Sequence, residues 1–136
     1  MISETVIDIR YPDADAMGIV HHAVYPVWYE IARMDFFAKM GFAYSDMHTL
    51  GINPPIVDLH VSFCSAVIYP GQVAIRTSIR FFAPKKLELS YELFSGETLV
   101  SSAVTLHIWT GSDMRSLDME KNLPDIYEKI RLASLR

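Results

Sequence analysis

Two periodicities divide this chain. From His22 to about Met40 the apolar residues recur at helical spacing. Tyr25, Trp28, Tyr29, Ala32, Phe36 and Met40 fill one wide face, and Ile31, Met34 and Phe37 spread onto the others. Only Glu30, Arg33, Asp35 and Lys39 carry charge there. A helix apolar nearly all round is a buried helix, so something must wrap it. Pro26 sits near its start, where a missing N–H is tolerated, and Gly41 supplies a stop.

Beyond Pro54 and Pro55 the period becomes two. Val57, Leu59, Val61 and Phe63 alternate with Asp58, His60, Ser62 and Cys64. The same alternation runs through Val73–Phe81, Leu87–Leu93 and Val100–Ile108. It predicts four strands, each with one wet and one dry face; on the last, Val100, Val104, Leu106 and Ile108 take the dry side. Pro70-Gly71, Pro84-Lys85-Lys86 and Ser95-Gly96 are short turns that favour antiparallel neighbours. Residues 4–11 read as a first strand, 45–50 as a short helix, and Leu123-Pro124 introduces a last helix to about Leu132. Residues 110–122 are polar and irregular.

The order is strand, long helix, then four strands. The simplest solution is an α+β fold in which one curved antiparallel sheet lays its dry face on the helix. Such a sheet has exposed edges, and pairing two copies into one continuous sheet is an economical cover. The 136 residues suit a single domain, 1–136.

Composition narrows the function classes. A net charge of −4 argues against a nucleic-acid binder. One cysteine, Cys64, excludes an internal disulfide and a CxxC metal site. The N-terminus lacks an apolar signal region, and the longest stretch free of Asp, Glu, Lys and Arg carries Pro, Gly, Gln and His, so neither a leader nor a membrane span is expected. A cytoplasmic protein is the expectation. Arg76, Arg80, Lys85 and Lys86 form a run without an intervening acid, which suits a small anionic ligand or a solvated strand face.

The chemistry gathers before the helix, at Tyr11, Asp13, Asp15, His21 and His22. Asp13 or Asp15 could be a cap or loop carboxylate. Asp15, however, precedes the expected helix start by seven residues, too far for a simple cap. The first N–H groups of a helix are unpaired and partly positive, and can hold the oxygen that turns negative in acyl transfer. A carboxylate beside them can attack the carbon or activate water. No HxxxH, HExxH, GxSxG, GxGxxG or phosphate-binding loop is present, so no metal, serine triad or nucleotide site is expected.

RYPDADAMGIVHHAVYPVWYEIAR, residues 10–33, resembles the signature of hotdog-fold acyl-CoA thioesterases, and more narrowly the 4-hydroxybenzoyl-CoA thioesterase and YbgC-like group. The matching positions are Tyr11, Asp15, Gly18, Ile19, Val20, His22, Tyr25, Trp28, Tyr29, Glu30 and Arg33. The resemblance implies a hotdog fold: a long central helix wrapped by a five-stranded antiparallel sheet. It implies an acyl-CoA substrate cleaved to free acid and coenzyme A, with no added cofactor. Asp15 is then nucleophile or general base, the helix N-terminus at His22 polarises the carbonyl, and Tyr11 positions water or substrate. Gly18 and Tyr25, both matched positions, are the expected substrate contacts, and Arg76, Arg80 and Lys85 are candidates for the coenzyme A phosphates. The resemblance also implies a homodimer joined at sheet edges, and a dimer of dimers. His21, Val24 and Ile31 depart from the pattern, at positions that bear on the substrate pocket. The alternatives are a hotdog hydratase or dehydratase, and a non-catalytic acyl-CoA-binding protein.

Overall fold

The structure is a computed structural model, and it describes residues 1–135. The elements run β1 (Ile2–Asp8), a single 3-10 turn (Tyr11–Asp13), α1 (Val24–Met40), α2 (Tyr44–Leu50), β2 (Ile52–Asn53) and β3 (Ile56–Phe63). Then follow β4 (Gln72–Ala83), β5 (Lys86–Ser95), β6 (Thr98–Ile108), β7 (Thr110–Gly111), α3 (Met119–Asn122) and α4 (Pro124–Ser134). The large sheet is antiparallel with strand order β1-β4-β5-β6-β3, and α1 lies on its inner face. The expected α+β layout, a long helix wrapped by five strands, is present. Among the described residues no helix is long and apolar enough to cross a membrane.

The core forms where the two periods meet. Tyr25, Trp28, Tyr29, Ala32, Phe36, Phe37 and Met40 of α1 are buried against Val73, Ile75 and Ile79 of β4 and Leu87, Leu89, Tyr91 and Leu93 of β5. The helix stops at Gly41, whose φ of 106° is a left-handed conformation that glycine adopts without a Cβ penalty.

Five details differ from the reading of the sequence. The helix begins at Val24, with Ala23 as its cap, because residues 21–23 form a turn closed by the Val24 N–H on the His21 carbonyl. His22 therefore lies two residues ahead of α1. Second, α1 is not wrapped all round: Val27, Ile31 and Met34 are exposed. Third, the β3–β4 connection is not a hairpin. β3 pairs with β6 at the far edge, whereas β4 pairs with β1. Fourth, β3 has no dry face in the single chain; Val57, Leu59 and Phe63 are exposed because the strand lies at the sheet's edge.

The fifth difference is one of phase. On β6 it is Ser101, Ala103, Thr105 and His107 that point inward, while Val104, Leu106 and Ile108 are only half-buried. A polar inward face is affordable where hydrogen bonds satisfy it. Here they do: Tyr29 donates to Ser101 at 2.7 Å, and Tyr91, Thr105 and His107 form a chain with contacts of 2.8 Å.

Candidate active site

The loop between β1 and α1 is pinned at both ends. Asp13 is buried and its carboxylate accepts from the backbone N–H of Arg10 at 2.8 Å and the Arg10 guanidinium at 3.1 Å. Its carbonyl accepts from His21 N–H at 3.0 Å. Asp13 is thus the structural carboxylate, closing the 3-10 turn.

Asp15 is held differently. Its Oδ1 accepts from the backbone N–H groups of Met17 (2.8 Å) and Ile19 (3.0 Å), and its carbonyl accepts from Gly18 N–H. Its Oδ2 accepts no hydrogen bond from the described residues. The side chain is half-buried. One oxygen therefore fixes the carboxylate while the other is free to act. Gly18 makes this turn with φ of 78°, a conformation that disfavours a side chain.

Tyr11, Pro12, Ala14, Asp15, Ala16, Gly18 and Tyr69 line a cleft of about 310 Å³. So the structure brings Tyr11, Asp15 and Gly18 together. It also adds Tyr69, which the sequence reading missed. Tyr69 donates its N–H to the Gly18 carbonyl at 2.8 Å, and its ring meets that of Tyr11 edge-on, 5.8 Å between centroids. Its only signal in the sequence is the turn chemistry of Pro70-Gly71 beside it.

The other predicted residues lie elsewhere in the single chain. His22 is exposed at the entrance to α1. Tyr25 is buried between Trp28 and Phe63, at 5.5 and 4.9 Å between ring centroids. Burial pushes its phenol up, opposed by a backbone hydrogen bond at Val67. Arg76 and Arg80 are on the outward face of β4. Arg76 lies over the Phe94 ring at 4.7 Å, and Arg80 pairs with Glu88 at 3.6 Å. Lys85 is in the β4–β5 turn, where its carbonyl accepts from Trp109 N–H. None of these three lines the Asp15 cleft.

Residues 9–131 match the Thioesterase-like superfamily. YneP of Bacillus subtilis (strain 168), named as a candidate acyl-CoA thioesterase, is 32% identical over 136 residues, covering 96% of this chain and 98% of its own. The chain belongs to the Thioesterase-like superfamily. A DHNA-CoA thioesterase structure from Staphylococcus aureus superposes with a TM-score of 0.91 at 31% identity, covering 96% of this chain and 89% of that one. A 1,4-dihydroxy-2-naphthoyl-CoA hydrolase of Nostoc punctiforme is 26% identical over 128 residues, 86% of this chain and 78% of its own. The hotdog fold and the thioesterase class expected from residues 10–33 both stand.

Proposed function

We propose that the protein hydrolyses an acyl-CoA thioester, with Asp15 as the catalytic carboxylate. The observation that carries this is the division of labour within Asp15: Oδ1 is locked by two backbone N–H groups and Oδ2 is open to the cleft loop. A carboxylate so fixed meets the carbonyl carbon, or a water on its way to it, without first being ordered. The N–H groups entering α1, that of His22 first, polarise the thioester carbonyl and hold its developing negative charge. The carbon–sulfur bond then breaks, coenzyme A leaves as the thiol, and water supplies the oxygen and proton of the free acid. Tyr11 and Tyr69 line the cleft beside Asp15. No metal or redox group takes part, so a chelator leaves the rate unchanged.

The names of the relatives favour this reading over a hydratase or a binding protein. The test is thiol release from a panel of benzoyl, hydroxybenzoyl, short and long acyl-CoAs, wild type beside Asp15→Asn. Turnover by wild type and its loss in the variant are expected. Tight binding without turnover would replace the enzyme with a binding protein.

The working unit in this reading is a dimer built on the β3 edge, and then a dimer of dimers. β3 has one unpaired edge over eight residues, and exposes Val57, Leu59 and Phe63. A free, apolar strand edge of that length invites a second copy. Leu59→Lys is expected to shift the mass measured by light scattering toward the monomer.

A further inference from the structure

The loop that carries Asp15 is not held by the large sheet. Beyond the adjoining 3-10 turn, the backbone hydrogen bonds of residues 14–20 to the rest of the described chain run to the β3–β4 connection alone. Val20 N–H donates to the Val67 carbonyl at 2.9 Å, and Tyr69 N–H donates to the Gly18 carbonyl at 2.8 Å. We infer that Tyr69 is a positioning residue for the reaction, and that its backbone N–H acts through one peptide unit on the Asp15 carboxylate. The inference rests on the hydrolysis proposed above.

Three observations carry it. The Gly18–Ile19 peptide is bonded at both ends: its carbonyl accepts from Tyr69, and its N–H donates to Asp15 Oδ1 at 3.0 Å. A peptide unit is planar, so a donor that fixes the carbonyl also fixes the direction of the N–H. A bond at one end also polarises and strengthens the bond at the other. The second bond to Oδ1, from Met17, arises inside the turn and moves with it. Next, the turn depends on outside support. Gly18 holds φ of 78°, and glycine leaves other conformations open to the same segment. Finally, the connection is anchored where Tyr69 needs it. Val67 is buried in the core, and the N–H groups of Cys64 and Ser65 both donate to the Val100 carbonyl of β6, at 2.9 and 3.2 Å. Beyond Tyr69, the Gly71 carbonyl accepts from Ile9 N–H at 2.9 Å, just past β1. The sheet therefore sets the place of Asp15 by way of residues 67–69.

The Tyr69 ring lines the cleft, so the N–H must be removed without touching the side chain. Replacing Tyr69 by its α-hydroxy acid turns that one amide into an ester, deletes the donor and keeps the phenol. The bond lies in a loop outside the core, so the ester protein is expected to fold. The same replacement at Ile9 is the control: it deletes the bond to Gly71, farther along the same connection, and leaves the Gly18–Ile19 peptide alone. The readouts are the melting temperature, KM, and the single-turnover rate on benzoyl- and octanoyl-CoA, each ester made with Asp15 and with Asp15→Asn. The Tyr69 ester is expected to slow the chemical step about 10-fold while KM stays within about twofold. The Ile9 ester is expected to lower the melting temperature at least as much and to keep the chemical step within about twofold of wild type. With Asp15→Asn in place, the Tyr69 ester is expected to change the residual rate by less than about twofold, because the carboxylate it positions is gone. A Tyr69 ester at the wild-type rate, or one whose full loss persists beside Asp15→Asn, overturns the positioning role. So does an Ile9 ester as slow as the Tyr69 ester. Wild-type turnover by Asp15→Asn alone, or none by wild type on any thioester, would instead refute the hydrolytic reading beneath it.

Discussion

The two ends of α1 handle polar groups in opposite ways. Toward its C-terminal half, Arg33 is buried and donates to the phenols of Tyr44 (2.9 Å) and Tyr91 (3.2 Å). From Tyr91 the chain continues through Thr105 to His107 and ends on the Pro54 carbonyl at 2.7 Å. Its direction is fixed by its termini. A guanidinium can only donate and a carbonyl can only accept. Tyr91 O–H must then donate to Thr105, Thr105 O–H to the Nε2 of His107, and His107 Nδ1–H to Pro54. From Tyr91 to Pro54 every member has a partner, and no hydroxyl or ring nitrogen of that run is left over for chemistry. At the N-terminal end, Asp15 has an oxygen to spare beside an open cleft. Complete satisfaction marks structure; a fixed group with one free lone pair marks function.

Removing the free group is the strongest way to break this contrast. Asp15→Asn keeps the loop's shape, because the amide oxygen can accept from Met17 and Ile19 as Oδ1 does. It removes the nucleophile or base. The chemical step is expected to fall by at least ~10²-fold in a single-turnover assay, with the melting temperature unchanged. The converse variant, Arg33→Met, should melt earlier and leave the residual enzyme's chemical step near wild type. If Asp15→Asn destabilised the fold as much as Arg33→Met does, the division between the two ends would be lost.

The sealed end should also respond to acid. His107 is lowered from 6.5 to about 4, mainly by burial, with the Pro54 hydrogen bond opposing and the Arg33 charge assisting. Between those values the unfolded chain binds a proton that the folded chain refuses, so stability rises with pH across that window and falls on acidification. At 1.36 kcal/mol per unit the loss on going from pH 7 to pH 4 is about 3 kcal/mol. A protonated ring would also turn a donor toward Thr105 and reverse the hydroxyls against Arg33. Denaturant midpoints from pH 7 to 4 should drop for wild type and flatten for His107→Asn. An equal slope in both would move the acid sensitivity to the carboxylates.

How far the sequence discloses these regions depends on what each residue displays along the chain. Alternation in β4 and β5 and the helical stripe of α1 mark core directly, since the buried residues there are apolar apart from Thr77 and Arg33. Asp15 and Gly18 are legible because they sit seven and four residues before His22 in a local pattern. The sealed chain is illegible: Arg33, Tyr91, Thr105 and His107 are distant in sequence and polar. The same polarity inverts the apparent phase of β6, where apolar Val104, Leu106 and Ile108 face outward. Tyr69 reaches the cleft through a backbone pairing with Gly18 that no spacing announces.

A smaller effect sharpens the open end. Gly18 has φ of 78°, and an added Cβ would meet nothing closer than the Tyr69 carbonyl at 3.8 Å. Space is therefore not the obstacle to Gly18→Ala; the backbone conformation is, at about 1–2 kcal/mol. Gly18→Asn should cost less, since Asn tolerates the left-handed region. The expected ranking in thiol release is wild type, then Asn, then Ala. Equal Asn and Ala variants would mean that the side chain, not the turn, disturbs the Asp15 carboxylate.

An effect on stability alone belongs to the inward hydroxyls, and its size depends on which partner is removed. Tyr29 donates to Ser101, and Ser101 donates in turn to the Ser62 carbonyl at 2.8 Å. Tyr29→Phe deletes a donor and leaves Ser101 with its own acceptor, so no donor is orphaned; about 1 kcal/mol should be lost. Ser101→Ala strands the buried Tyr29 O–H and frees Ser62 on the edge strand at once, and should cost up to about 3 kcal/mol. The pair should be less than additive, because the double variant removes the stranded hydroxyl that makes Ser101→Ala expensive. Strict additivity in a denaturation cycle would show the two hydroxyls acting independently, and the polar face of β6 would then need another reason to point inward.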